Sequence, residues 1–189
     1  MLNIGIIIGS TRPGRKAETV AKWVYEIAKK RTDANFEIVD IKEYNLPLMD
    51  EPFPPSMGKY QNEHTKVWAK EIAQFDGFIF VTPEYNHTIP AALKNAIDYL
   101  YAEWNDKSLG FVSYGSVGGI RSVEHLREIA GFLRLADVQS QVGLSLFTDF
   151  ENMTEFKPDP RHDKEVERLI DDVILWGAAM KTVREAKKQ

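Results

Sequence analysis

The sequence contains no cysteine and only four histidines among its 189 residues. The lack of cysteine excludes disulfide bonds, thiolate catalysis, cysteine-ligated metals and cysteine-bound iron–sulfur clusters. His64, His87, His125 and His162 are scattered without metal-ligand spacing. No apolar run is long enough to span a membrane, and the short apolar start lacks the basic region of a signal peptide. We therefore expect a cytoplasmic protein with no metal centre and no membrane partner.

The composition is that of an ordinary globular protein with little excess of either charge. Hydrophobic residues make up 43% and charged residues 28% of the chain, and the formal net charge is −4. Nucleic acid is not expected as a partner, because binding its phosphate backbone requires a basic surface. The length predicts one domain over residues 1–189, since no repeat, low-complexity tract or linker interrupts the chain.

The chain begins with an apolar strand, a polar loop and an amphipathic helix. Residues 2–8 are mostly β-branched and do not alternate with polar residues, which predicts a strand buried on both faces. Gly9 to Arg15 follow, and helical spacing begins at Ala17. The loop combines backbone N–H groups, a helix N-terminus, two hydroxyls and two arginines, which favours phosphate binding. The alternative is that this loop only connects the strand to the helix, for which its small residues alone would be enough.

The sequence of this loop differs from two familiar nucleotide-binding motifs and is better suited to a single phosphate monoester. Gly9 and Gly14 have the spacing of the nucleoside-triphosphate P-loop, but Arg15, Lys16 and Ala17 replace its lysine and its magnesium-binding hydroxyl. The dinucleotide fingerprint fails as well, because Thr11 occupies the position of its second glycine.

Strand and helix patterns alternate along the rest of the chain. We predict an α/β three-layer sandwich with a five-stranded parallel sheet in the order 2-1-3-4-5, the order found in flavodoxin. Further strands are predicted at 36–41, 78–81, 109–113 and 138–146, with irregular segments at 46–58 and 148–160. The predicted helix 91–104 has a second apolar stripe, which we expect to leave a broad apolar surface. That stripe consists of Ala92, Ala96 and Tyr99.

Three loops are expected to meet at the carboxyl edge of this sheet, those after the first, third and fourth strands. Tyr85 can stack on a planar ring, and Asn86 can bond the edge of a heterocycle. Gly118 and Gly119 let the backbone approach a flat ligand. A phosphate at one end and a flat polar ring at the other describe FMN. Simpler roles remain open: Tyr85 as an interface aromatic, Glu84 as a surface carboxylate, and the glycines as a turn.

These loops resemble the NAD(P)H-dependent FMN reductase family, the flavodoxin-like reductases of quinones, azo dyes and chromate. The resemblance rests on Gly9-Ser10-Thr11-Arg12, Pro83-Glu84-Tyr85-Asn86 and Gly115-x-x-Gly118-Gly119, and extends over about residues 2 to 145. It implies non-covalent FMN, two-electron reduction by NAD(P)H, and homodimers or homotetramers with the flavin near the subunit interface.

The resemblance also assigns cofactor-binding residues by position. Ser10 and Arg12 would bind the phosphate, helped by Arg15, Lys16 and the N–H of Ala17. The isoalloxazine ring would be lined by Pro83, Glu84, Tyr85 and Asn86, and closed by Ser113, Gly115, Gly118 and Gly119. Many relatives have serine or asparagine a few residues past the arginine, where this chain has Arg15-Lys16-Ala17.

The implied activity is ping-pong hydride transfer from NAD(P)H through the flavin to free flavin, quinones, azo compounds or similar acceptors. Because the cofactor performs the chemistry, no catalytic side chain is expected. The 46–58 segment and a neighbouring subunit would shape the acceptor site. A flavodoxin-type electron carrier is the main alternative. A P-loop phosphotransferase and a receiver-type domain fit less well, the latter because Gly9 and Ser10 stand where it needs acidic residues.

Overall fold

The computed structural model describes residues 1–187 and contains a five-stranded parallel sheet in the order β2-β1-β3-β4-β5. The predicted α/β fold and strand order are therefore confirmed. The strands of this sheet are β1 (Leu2–Ile8), β2 (Ala34–Asp40), β3 (Gly77–Pro83), β4 (Ser108–Gly115) and β5 (Ala136–Ser145).

Helices cover both faces of the sheet. α1 and α5 pack on one face, and α2, α3 and α4 pack on the other. This arrangement makes the three layers of a flavodoxin-like sandwich. The helices are α1 (Ala17–Ala28), α2 (Glu63–Ala73), α3 (Ala91–Asp98), α4 (Ile120–Phe132) and α5 (Arg161–Ala186), with a short 3₁₀ turn at Pro55–Met57.

The three central strands owe their position to their composition. β3 and β4 are buried along their whole length, and β1 is buried at all but one residue. Burying each isoleucine of such a strand stabilises the fold by about 1.5–3 kcal/mol. β2 and β5 alternate between buried and more exposed residues, as expected for the two edges of the sheet.

α3 is shorter than the predicted helix 91–104. It ends at Asp98, and the chain continues in turns up to Trp104. The indole Nε1 of Trp104 donates to the carbonyl of Ile97 at 3.1 Å, and the N–H of Leu100 donates to the same carbonyl at 3.2 Å. The helix can end here because a side chain and the backbone of the following turn donate hydrogen bonds to a carbonyl of its last turn.

The expectation that α3 leaves a second broad apolar stripe is wrong. Tyr99 is fully buried, and Ala96 is 2% exposed. The segment after Leu46 covers them: the Tyr99 hydroxyl donates to the carbonyl of Pro47 at 3.1 Å and to the Asp50 carboxylate at 3.0 Å. Hydrogen bonds thus hold part of the 46–58 segment against the end of α3. Helical periodicity alone could not predict this contact.

Part of the segment predicted to be irregular, 148–160, is a small antiparallel hairpin, so that prediction is wrong there. Its strands are β6 (Phe150–Glu151) and β7 (Glu155–Phe156). Asp149 fixes its base, because its buried carboxylate accepts N–H bonds from Ser145 at 2.8 Å and Asp159 at 3.1 Å.

Among residues 1–187, no helix is both long enough and apolar enough to cross a bilayer.

Candidate functional site

The loops after β1, β3 and β4 meet at the carboxyl edge of the sheet around a cavity of about 180 Å³. This is the edge at which ligands bind in open α/β sheets. Parallel pairing brings the loops together: the N–H of Gly9 donates to Val81 at 2.8 Å, and the N–H of Glu84 donates to Tyr114 at 3.1 Å. The cavity wall consists of Arg12, Gly14, Arg15, Lys16, Pro83, Glu84, Tyr85, Tyr114, Gly115 and Leu146.

Ser10 joins two of these loops. Its side chain is buried, and its Oγ lies 3.0 Å from the hydroxyl oxygen of Tyr85. The N–H of Arg12 also points at this Oγ, at 3.4 Å. Since a hydroxyl accepts two hydrogen bonds and donates one, Ser10 can accept from both neighbours and keep its own proton for a ligand.

The two arginines of the first loop are in different situations. Arg12 is exposed, and no carboxylate within residues 1–187 pairs with it. Arg15 is almost buried: its guanidinium is paired with Asp40 at the end of β2 and donates to the carbonyl of Ser10 at 2.6 Å. Arg12 is therefore the guanidinium that is available to an anion, whereas Arg15 holds the shape of the loop.

The helix N-terminus behind this loop provides further donors. Within residues 1–187 no side chain caps α1 at Lys16, and the N–H of its first residue, Ala17, lies near the Tyr114 hydroxyl. The helix dipole makes this end partly positive, which favours a phosphate. The Lys16 ammonium lies over the Phe150 ring, 6.0 Å from its centroid, at the border of the same cavity.

The loop after β3 is a tight turn with an unusual backbone. Tyr85 and Thr88 exchange both backbone hydrogen bonds, at 2.9 and 3.1 Å, around Asn86 and His87. Both central residues have positive φ, 48° and 75°. This matches a type I′ turn, for which asparagine is a preferred first central residue. The turn exposes the Asn86 side chain at its tip, outside the cavity wall.

Glu84 connects this loop to α4. Its side chain is only 8% exposed, and its carboxylate oxygens accept from Arg121, with Nη2 at 2.5 Å and the backbone N–H at 3.2 Å. The carboxylate therefore lies at the N-terminus of α4, where the helix dipole stabilises it. Its function here is to position the loop after β3 against α4.

The glycine-rich loop is closed by a hydrogen bond from Ser113, whose Oγ donates to the carbonyl of Gly118 at 2.6 Å. Gly118 and Gly119 have φ of 76° and 69°. A Cβ on Gly119 would come within 2.8 Å of the backbone nitrogen of Tyr114, so only glycine fits there. Of this loop, Gly115 reaches the cavity wall, whereas Ser113, Gly118 and Gly119 support it from behind.

Tyr114 and Leu146 also line the cavity, although neither was predicted as a binding residue. Tyr114 is 5% exposed, and its hydroxyl has no hydrogen-bond partner within residues 1–187. An unpaired buried hydroxyl costs about 1–3 kcal/mol. A tyrosine at the end of a strand that is buried along its whole length is a sequence signal for such a group, since its hydroxyl needs a partner.

The donor set fits the phosphate end of FMN. Within residues 1–187, the unpaired guanidinium of Arg12 and the start of α1 without a side-chain cap lie on one side of the cavity, with the Ser10 hydroxyl buried behind Tyr85, and Tyr85 and Gly115 border the other side. A Cβ on Gly115 would lie 3.2 Å from the nitrogen of Gly119 and 3.4 Å from the Cβ of Glu84. The glycine thus keeps space that a larger residue would fill. These features define an α/β protein of the flavodoxin type with a cavity beside its first helix whose donors suit an anion.

The chain belongs to the NADPH-dependent FMN reductase family. The model of that family matches residues 2–149, which include all three loops. The match confirms the family resemblance of the sequence motifs.

Individual relatives agree with this membership. The chain is 46% identical over 183 residues to an NAD(P)H-dependent FMN reductase of Schizosaccharomyces pombe, covering 96% of this chain and 84% of the relative. It is 34% identical over 142 residues to the quinone reductase of Escherichia coli K12, covering 70% of this chain and 71% of the relative. The fold is similar to that of FerB, a flavoenzyme NAD(P)H:(acceptor) oxidoreductase from Paracoccus denitrificans. That structure has a TM-score of 0.72 at 17% identity and covers 95% of this chain and 99% of its own.

Proposed function

We propose that this protein binds FMN non-covalently and uses NAD(P)H to reduce free flavin, quinones or similar small acceptors. The observation that carries the proposal is the meeting of Arg12, Tyr85 and Gly115, from three separate loops, at one cavity, with Ser10 bonded to Tyr85. Relatives named as NAD(P)H-dependent FMN reductase and quinone reductase support the same activity.

The residues of the chain bind and orient the cofactor. Ser10, Arg12 and the first N–H groups of α1 would hold the phosphate, with Arg15 keeping the loop in place through Asp40. The Tyr85 turn and the glycine-rich loop would border the ring. When bound, FMN supplies the hydride-accepting and hydride-donating chemistry, so the protein needs no nucleophile or general base of its own.

The main alternative is an electron carrier of the flavodoxin type, which exchanges electrons with protein partners and has no reductase activity. Purified protein loaded with FMN separates the two functions. We expect steady NADPH or NADH oxidation with a quinone as acceptor, at rates far above those of free FMN. Reduction of the quinone only after addition of a separate flavin reductase would identify a carrier instead.

The absorption spectrum of the protein tests the cofactor directly. We expect FMN bands after incubation with FMN and desalting, with about one flavin per chain. Riboflavin should be retained much less, because it lacks the phosphate to which the anion pocket binds. Equal retention of riboflavin and FMN would contradict the phosphate assignment.

We also propose that the protein works in the cytoplasm, where NAD(P)H is available.

We propose further that the protein is a homo-oligomer. An apolar groove of about 780 Å³ between α3 and α4 supports the homo-oligomer, as does the exposed Phe132 at its border. A contiguous apolar groove of this kind is typical of a contact surface. Light scattering should give a mass of at least two chains, and Phe132→Glu should shift it towards one. A monomeric wild-type protein would contradict the proposal.

A further inference from the structure

The hydroxyl of Tyr114 has no assigned role, although Tyr114 is one of the residues that line the cavity. Its oxygen is buried and has no hydrogen-bond partner within residues 1–187. Phenylalanine would fill the same space without leaving a polar atom unpaired. The hydroxyl lowers the stability of the protein alone, so a group outside the protein is the partner that would account for it.

The neighbours of this hydroxyl favour an anion. Burial and the nearby Tyr85 raise the pKa of Tyr114 above its ordinary range, whereas the N–H of Ala17 and the charges of Arg15 and Arg12 act in the opposite direction. The hydroxyl therefore stays protonated at neutral pH and is a donor, surrounded by other donors and by cations. A partner that suits all of these groups has several acceptor oxygens and negative charge.

The N-terminus of α1 lies beside this hydroxyl. No side chain in the described part of the chain caps the start of this helix of 12 residues. Ala17, its first residue, is the one whose N–H acts on the Tyr114 hydroxyl. The hydroxyl and the start of α1 therefore lie side by side, and one phosphate group could accept hydrogen bonds from both.

We propose that the Tyr114 hydroxyl donates a hydrogen bond to a phosphate oxygen of FMN, beside Ser10, Arg12 and the first N–H groups of α1. The assignment rests on the proposed function, since FMN provides the phosphate. It makes Tyr114 a phosphate-binding residue on β4, a strand that contributes only to the ring side in the sequence motifs. The hydroxyl weakens the ligand-free fold and strengthens the complex.

Tyr114→Phe tests this because it removes only the hydroxyl. Dissociation constants of FMN and riboflavin are measured by flavin fluorescence, and the thermal midpoint of the ligand-free protein is measured in parallel. Tyr25→Phe is the matched control, a tyrosine on α1 outside the cavity wall. We expect about a tenfold loss of FMN affinity in Tyr114→Phe, as for a hydrogen bond to a charged group. Riboflavin affinity should not change, and the thermal midpoint should be equal or higher.

Two results would overturn the assignment. FMN affinity equal to that of the wild type would show that the hydroxyl does not contact the phosphate. Equal losses for FMN and riboflavin, together with a lower thermal midpoint, would show that the tyrosine supports the fold instead.

Inorganic phosphate separates this proposal from the proposed function. Phosphate at constant ionic strength should raise the thermal midpoint of the wild type more than that of Tyr114→Phe, relative to a sulfate-free chloride buffer. If the wild type binds phosphate in this hydroxyl-dependent way but does not bind FMN, the proposed function fails and the anion contact of Tyr114 remains. If phosphate acts equally on both proteins, the contact is overturned.

Discussion

The hydroxyl of Tyr85 lies 3.0 Å from the Oγ of Ser10, which joins the loop after β3 directly to the loop after β1. Ser10 is buried, so this bond is shielded from water. It places the predicted phosphate residue and the predicted ring residue in one hydrogen-bonded unit, and it makes the two ends of the site interdependent.

Ser10→Ala should weaken FMN binding by about tenfold, because one hydrogen bond to a charged phosphate is lost. Riboflavin binding should stay within about twofold, since that ligand has no phosphate. Tyr85→Phe should reduce FMN affinity less than Ser10→Ala does, because Ser10 keeps its proton for the phosphate. Fluorescence titration measures all three, and a larger loss in Tyr85→Phe would contradict the assigned function of Ser10.

The two arginines of the first loop should respond differently to substitution. Arg12→Ala should lower FMN affinity by about tenfold to a hundredfold, while the free energy of unfolding changes by less than about 0.5 kcal/mol. Arg12 is exposed and has no carboxylate partner within the described chain, so the fold does not depend on its charge.

Arg15→Ala should instead destabilise the fold by about 3 kcal/mol, because it leaves the nearly buried carboxylate of Asp40 without its partner. Urea denaturation followed by circular dichroism measures the free energy of unfolding in both variants. The assignments would be reversed if Arg12→Ala lost stability and Arg15→Ala lost only affinity for FMN.

Two substitutions at Asn86 separate its backbone from its side chain. Asn86→Gly keeps the positive φ of the turn and removes the amide, whereas Asn86→Ala removes the amide and also strains the turn by about 1 kcal/mol. If the amide bonds the flavin ring, both variants should lose similar FMN affinity, and only the alanine variant should lose stability. Full FMN affinity in Asn86→Gly would show that the backbone alone contributes.

Lys107 provides a pH-dependent test of the core away from the site. It is 4% exposed, and its ammonium donates to the carbonyl of Ile72 at 2.8 Å at the end of α2. Burial lowers the pKa of Lys107 to about 7, with the charge of Arg184 acting in the same direction. Between this pKa and the ordinary value of 10.5, the unfolded chain binds the proton that the folded chain releases.

The free energy of unfolding of the wild type should therefore rise with pH in that window relative to Lys107→Met. The expected slope is up to about 1.4 kcal/mol per pH unit, and it should vanish below about pH 7, where both states are charged. Denaturation of both proteins across this pH range measures the difference between their free energies of unfolding. The contributions of other titrating groups cancel in that difference. Parallel stability curves would mean that the Lys107 pKa is not lowered.

Local composition was enough to predict the layered fold. Apolar β-branched strands such as residues 2–8 and 78–81 have no exposed face, so they can only lie inside a parallel sheet covered by helices. The position of the three loops follows from that topology, because the carboxyl ends of parallel strands lie at one edge. The motifs in these loops then indicated the family, which its matching model confirms.

Contacts between distant segments were not predictable in this way. The Asp40 partner of Arg15 lies on the neighbouring strand, and the cover of Tyr99 comes from the irregular 46–58 segment. Neither segment carries a periodic signal that would indicate its partner. The hairpin within 148–160 was missed for the same reason, since Asp149 organises it through backbone N–H groups.

The sequence by itself determined the strand order, the phosphate-type loop after the first strand and the family. These depend on hydrophobic pattern, glycine positions and short motifs, which are local properties of the chain. Only the tertiary structure decided which arginine has no carboxylate partner within residues 1–187, where the Glu84 carboxylate lies and that Tyr114 lines the cavity. Those outcomes depend on which side chains meet across the sheet, because a charge or a hydroxyl acts according to the partner that packing gives it.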